Sequence, residues 1–127
     1  MKIVDRYGLA KCSYGTPFYH LDICGANGEY FQITEGIKIL TSNTHCILNN
    51  GEAYFNGVCP LEPDLSDSYN CSGVFTKDIV EKTKFELFET DDASNNYDDE
   101  DRFLILDTKE FKIILDELQG YYDMMGE

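Results

Sequence analysis

The 127-residue chain carries 24 acidic against 10 basic side chains, a net charge of −14, with 43% hydrophobic and 13% aromatic residues. That apolar content is enough for one core and the length leaves no room for a second, so residues 1–127 are predicted to form a single globular domain. So negative a balance argues against direct binding to nucleic acid or to an anionic membrane surface, which needs clustered Lys and Arg, and no run approaches the roughly 18 apolar residues of a membrane span.

The opening segment Met1-Lys2-Ile3-Val4-Asp5-Arg6 has no apolar leader. Five cysteines, Cys12, Cys24, Cys46, Cys59 and Cys71, form an odd set without a close pair. Such a set suits reduced thiols, so the expected location is cytoplasmic.

Phe18 to Cys24 alternates as a strand, with Phe18, His20, Asp22 and Cys24 on one side and Tyr19, Leu21 and Ile23 on the other. Asn27-Gly28 predicts a two-residue type I′ turn, because both central positions need positive φ, and Glu29 to Thr34 would return as the partner strand. Ile37 to Leu40 reads as a further strand. Cys46 to Leu48 and Ala53 to Phe55 flank Asn50-Gly51, a second hairpin signal. From Cys59 to Ser68, two prolines and several turn formers predict a loop. Val74 to Phe88 is divided: Thr76 to Lys82 fits a short helix, but the alternation of Thr83 to Phe88 favours strands, and strands are the expectation here.

Between Glu89 and Asp101 stand seven acids (Glu89, Asp91, Asp92, Asp98, Asp99, Glu100, Asp101) and no base. Split at Pro63, the first part has six acids and four bases, the second eighteen and six, so residues 64–127 hold −12 of the charge. Such a field steers a basic partner toward one side of the molecule, unless the run is merely a solvated loop. Arg102 to Leu106 is then a strongly apolar central strand. Asp107 with Glu110 has capping-box spacing, and Phe111, Ile114, Leu115, Leu118 and Tyr122 form one apolar stripe of a terminal helix. Strands followed by one helix predict an α+β fold, an antiparallel β-sheet of several hairpins with the C-terminal helix packed on one face.

The acidic run fails as an EF-hand in either register: from Asp91 it puts Ala93 at position 3 and Arg102 at position 12, and from Asp92 it puts Tyr97 where Gly is needed. His20 and Cys24 share a strand face, but no Cys-x-x-Cys completes a zinc site, and His45-Cys46 would point to opposite faces. No cysteine is marked as a nucleophile, no Gly-rich phosphate loop occurs, and a hydrophilic acidic loop is a poor place to tune a carboxylate for acid/base work. The expectation is a binding protein with no catalytic residue, cofactor or metal. Its contact residues are predicted to be Asp91, Asp92, Tyr97, Asp98, Asp99, Glu100 and Asp101 in the loop, with Asp116, Glu117 and Tyr121 on the helix, aromatic anchors among carboxylates that suit a basic protein.

The general plan of a small acidic chain, hairpins, an acidic loop, then Phe103-Leu104-Ile105-Leu106 leading into Asp107-Thr108-Lys109-Glu110-Phe111, resembles the immunity proteins of bacterial contact-dependent inhibition and related polymorphic toxin systems. The resemblance implies a protein that neutralises a basic toxin domain, often a nuclease, by covering its active site or substrate groove. It transfers no residue roles. The alternative is a phage-encoded nucleic-acid mimic, an anti-CRISPR or anti-restriction inhibitor whose carboxylates stand in for phosphates. A mimic would space its acids along an extended helix or strand.

Overall fold

The computed structural model describes residues 1–41, 46–49, 52–55, 58–63, 76–87 and 97–126, with 46–49, 52–55, 58, 59 and 79 by backbone alone. Its elements run β1 (Lys2–Val4), α1 (Arg6–Ala10), β2 (Pro17–Cys24), β3 (Tyr30–Ile33), β4 (Lys38–Leu40), β5 (Cys46–Asn49), β6 (Glu52–Phe55), β7 (Val58–Pro60), α2 (Lys77–Lys82), β8 (Arg102–Ile105) and α3 (Thr108–Met125). The fold is α+β with an antiparallel sheet, as expected. Strands are ordered β1-β8-β2-β4-β7, β3 also pairs with β2, and β5 and β6 form a separate ladder.

β8 is central, between β1 and β2, which suits its Arg-Phe-Leu-Ile sequence. Phe103 faces Val4 on one side and His20 on the other, and Ile105 faces Lys2 and Phe18. Leu9 of α1 closes this face over Phe18, Leu40, Phe103 and Ile105, all buried. Phe18 and Phe103 meet edge to face at 5.8 Å. Neither β1 nor α1 carried a sequence signal strong enough to be expected. Asp5 caps α1 by accepting from Gly8 N at 2.9 Å, and a Cβ at Gly8 would come within 2.7 Å of Val4 Cβ, so glycine there permits the close seat of α1 on β1.

The β2–β3 hairpin forms with a different turn from the expected type I′. Cys24 pairs with Tyr30, leaving the loop 25–29, in which Gly25 and Gly28 take the positive φ and Gly28 N donates to Gly25 O. On the return, Leu21 faces Ile33 while Phe18 faces Lys38, so the chain between β3 and β4 holds two residues more than β2 opposite it. This bulge, Thr34 to Ile37, carries Glu35 toward β2. The β5–β6 ladder closes on Asn49 opposite Glu52, the register of a two-residue turn, although Asn50 and Gly51 lie outside the described residues.

Two expectations are corrected. Cys59 and Pro60 belong to strand β7, paired with β4, rather than to a loop; Pro60 sits at the end of an outer strand, where its missing N–H costs little. Lys77–Lys82 is helical rather than extended: Lys77–Glu81 and Asp78–Lys82 ion pairs at i, i+4 support a turn for which strand parity offers nothing comparable. Of the alternating stretch after it, only Leu87 bridges, to Pro63, and Phe88 lies outside the described residues. The expected terminal helix forms with its complete capping box, and none of its residues is fully buried. Phe111 and Ile114 are half-buried, and Leu118, Tyr122 and Met125 are exposed. Among the described residues, no helix is long and apolar enough to cross a membrane.

Candidate functional site: a pinned acidic turn

Of the acidic run, Tyr97 to Asp101 is described, while Glu89, Asp91 and Asp92 lie outside the described residues. The turn is built by its own side chains. Asp98 Oδ1 accepts from Glu100 N at 2.9 Å and from Asp101 N at 3.2 Å, and Asp98 N donates to Asp101 Oδ2 at 2.7 Å. Aspartates do this well because their short carboxylates reach backbone donors two and three residues away. Arg102 closes the far side, donating from Nη1 to the carbonyls of Asp99 (2.7 Å) and Asp101 (2.9 Å).

Two long-range anchors then fix the turn to the body. Arg6, the first residue of α1, is only 6% exposed, and its guanidinium donates from Nε (3.0 Å) and Nη2 (2.7 Å) to Asp99 Oδ1. Nη1 donates to the Tyr97 carbonyl and Nη2 to the Tyr7 hydroxyl, with the Tyr7 ring 5.1 Å from the guanidinium. A planar five-donor fork suits this task, because it meets a carboxylate through two of its nitrogens while still reaching a carbonyl and a hydroxyl. Burial works against the charged form of Arg6, but the bonds to Tyr7 and Asp99 outweigh it and its pKa is raised.

The second anchor is His20 of β2, whose Nε2 donates to Asp101 Oδ1 at 2.9 Å. Its Nδ1 faces Glu35 Oε2 at 4.0 Å. Lys38 donates to Glu35 at 2.6 Å, and this bond holds the Glu35 carboxyl below the ordinary glutamate range. Tyr97 packs on the core, its ring 4.8 Å from Phe103 and 5.4 Å from His20, and burial pushes its hydroxyl pKa up.

The predicted contact residues therefore occupy different environments. Asp99 and Asp101 each bond a distant side chain through Oδ1, Tyr97 packs on the core, and Asp98, Asp99 and Glu100 are exposed while Asp101 is half-buried. Asp116, Glu117 and Tyr121 stand on α3, a separate element, where Asp116 pairs with Lys112. Arg6, Tyr7, Glu35 and Lys38 were not anticipated, because nothing in the segment around Arg6 announces a carboxylate 93 residues away.

Among the described residues no three or more His, Cys, Asp or Glu side chains are grouped to hold a metal ion. Cys24 is directed to Asp22 O and Gln32 Oε1 rather than to His20. Cys12 donates to Gly8 O, and burial raises its thiol pKa, the opposite of activation. His45 lies outside the described residues. Comparison with protein-family models, curated proteins and solved structures finds no match.

Proposed function

We propose that the protein is a small acidic inhibitor that binds and neutralises a basic protein, in the manner of the toxin immunity proteins, with a nuclease domain as the favoured target. The observation that carries this reading is the pinned turn. Asp98 and Glu100 are exposed on a backbone held by Arg6, His20 and Arg102, so their charge is presented in one geometry rather than on a floating loop. A preorganised group gives up little freedom on binding, and the −12 of residues 64–127 supplies the longer-range field that draws a cationic groove toward it. Such a groove is cationic because it must hold phosphates.

The arrangement of acids favours the inhibitor over a nucleic-acid mimic. α3 interleaves Glu110, Asp116, Glu117 and Asp123 with Lys109 and Lys112, and the turn is compact, so neither forms an extended phosphate-like row. The test is stopped-flow association with a panel of basic nuclease domains. The on-rate is expected to fall at least about tenfold between low and high salt, and Asp98→Asn with Glu100→Gln should flatten that dependence. An on-rate indifferent to salt in the unaltered protein removes the proposal.

A further inference from the structure

α3 carries its apolar side chains in two interleaved rows. Phe111, Leu118 and Met125 are spaced by seven, and Ile114 and Tyr121 fall between them, so the steps run three, four, three, four. A mean step of about 3.5 is shorter than the roughly 3.6 residues per turn of a straight helix, and it keeps such a seam turned toward one neighbouring helix. Leu115 and Tyr122 widen the seam on one flank, while Lys112, Asp116, Gln119 and Asp123 take the far side.

Exposure divides the seam. Phe111 and Ile114 are half-buried, whereas Leu115, Leu118, Tyr121, Tyr122 and Met125 are between 47% and 83% exposed. Charge divides the helix in the same way. Residues 108–112 hold Lys109 and Lys112 with one acid, Glu110, and residues 116–123 hold Asp116, Glu117 and Asp123 with no base. The last turn has no basic side chain to answer the negative end of the helix dipole. A helix that suits this seam is therefore apolar at the same steps and runs the opposite way, so that its own amino-terminal lysines lie toward these acids. The α3 of another molecule meets both conditions.

The geometry points to a second copy of this chain as the occupant: two α3 helices lie antiparallel about a two-fold axis, seam against seam. In the register that fits, Leu118 packs on the partner's Tyr121 and Ile114 on the partner's Met125, and the symmetry repeats both contacts. Glu117 then flanks the partner's Met124. A slip of one heptad would set Leu118 on the partner's Ile114 and bring Glu117 beside the partner's Glu117, two like charges side by side. A parallel pair would align the whole acidic half with its own copy. The overlap from Ile114 to Met125 rises about 16 Å and takes in every exposed member of the seam, while Phe111 stays outside it. The pairing uses this chain alone, so it stands or falls separately from the inhibitor reading.

The experiment is sedimentation velocity on the full chain from about 5 µM to about 500 µM, in about 300 mM NaCl to screen the repulsion between two chains of net −14. A reversible dimer is expected. Leu118→Lys and Tyr121→Glu should each weaken it roughly a hundredfold. An equimolar mixture of the two variants should recover a heterodimer, because antiparallel pairing brings the introduced ammonium and the introduced carboxylate into one layer and leaves the other layer native. In a parallel pair the two would fall in different layers, and the mixture would gain nothing. Circular dichroism checks that each variant is folded, and Leu118→Ser or Tyr121→Ser, each expected to weaken the dimer, replaces one that is not. A folded protein that stays monomeric across the whole range overturns the inference, as does a dimer that survives both single substitutions or a mixture of folded charged variants that recovers no heterodimer.

Discussion

The turn Tyr97–Asp101 and the helix Thr108–Met125 stand on either side of β8, both rich in acids, and they are held by opposite means. The turn owes its shape to groups far away in sequence, Arg6 at 93 residues and His20 at 81. The helix is held by neighbours: Asp107 with Glu110, Lys112 with Asp116, Gln119 with Asp123, and its buried contacts are few. The first region therefore depends on the core being intact, and the second does not. Charge alone says nothing about this difference, since both regions look equally hydrophilic.

The sharpest way to break the comparison is through the core. Phe103→Ala removes the fully buried ring that supports both Phe18 and Tyr97, and should cost about 3–5 kcal/mol in chemical denaturation. Met124→Ala, on the exposed part of α3, should change stability by no more than about 0.5 kcal/mol. Comparable losses at the two positions would mean that α3 is part of the cooperative core of the monomer after all.

A smaller effect separates the regions directly. Arg6→Ala leaves Asp99 and the Tyr97 carbonyl without their shared donor, and should lower the Tm by on the order of 5–10 °C. In hydrogen exchange, the amides of Asp98, Glu100 and Asp101 should lose protection while those of α3 keep theirs. Arg6→Lys should restore little, because a single ammonium cannot reproduce the fork. Equal loss of protection in turn and helix would show that the two unfold as one unit.

Acidification gives the smallest effect. Glu35 and Glu110 both have pKa values depressed below the ordinary 4.5, Glu35 chiefly by its bond from Lys38 and Glu110 chiefly by the Asp107 backbone N–H. A depressed folded-state pKa contributes stability that is present above the unfolded value and is lost as pH falls through the folded one. Both contributions therefore disappear below the ordinary glutamate range. Glu35→Gln should reduce the acid sensitivity of the turn, and Glu110→Gln that of the helix start, each read as a smaller Tm difference between neutral and acidic buffer. Identical acid profiles for the variants and the parent would remove the stabilising role assigned to these carboxylates.

Legibility in the sequence follows the same division. Asp107 and Glu110, the stripe from Phe111 to Tyr122, the alternation of Phe18 to Cys24 and the apolar Arg102 to Leu106 are local signals, and each specifies an element that forms. Where α3 goes was not legible, because an apolar stripe states that a face is to be covered and not by what. α1 was missed because five residues hold only about one turn and a half, too few to display a period. At the site, the abundance of acids from Asp98 to Asp101 is evident, but the bonds that tie Asp99 and Asp101 to the body come from Arg6 and His20, which no spacing rule connects to them. Asn27-Gly28 marked the right hairpin and the wrong turn, since Gly25 offered a second position for positive φ.

The placement of β8 between β1 and β2 has a consequence for biosynthesis. Strands β1 and β2 are translated well before β8, the strand that joins them. At roughly 5–20 residues per second, both nascent edges wait several seconds for their partner, a non-local closure of the kind that folds slowly and recruits chaperones. Translation must have passed β8 before the central ladder can zip, so a ribosome stalled anywhere upstream of Arg102 would hold an incomplete, adhesive sheet.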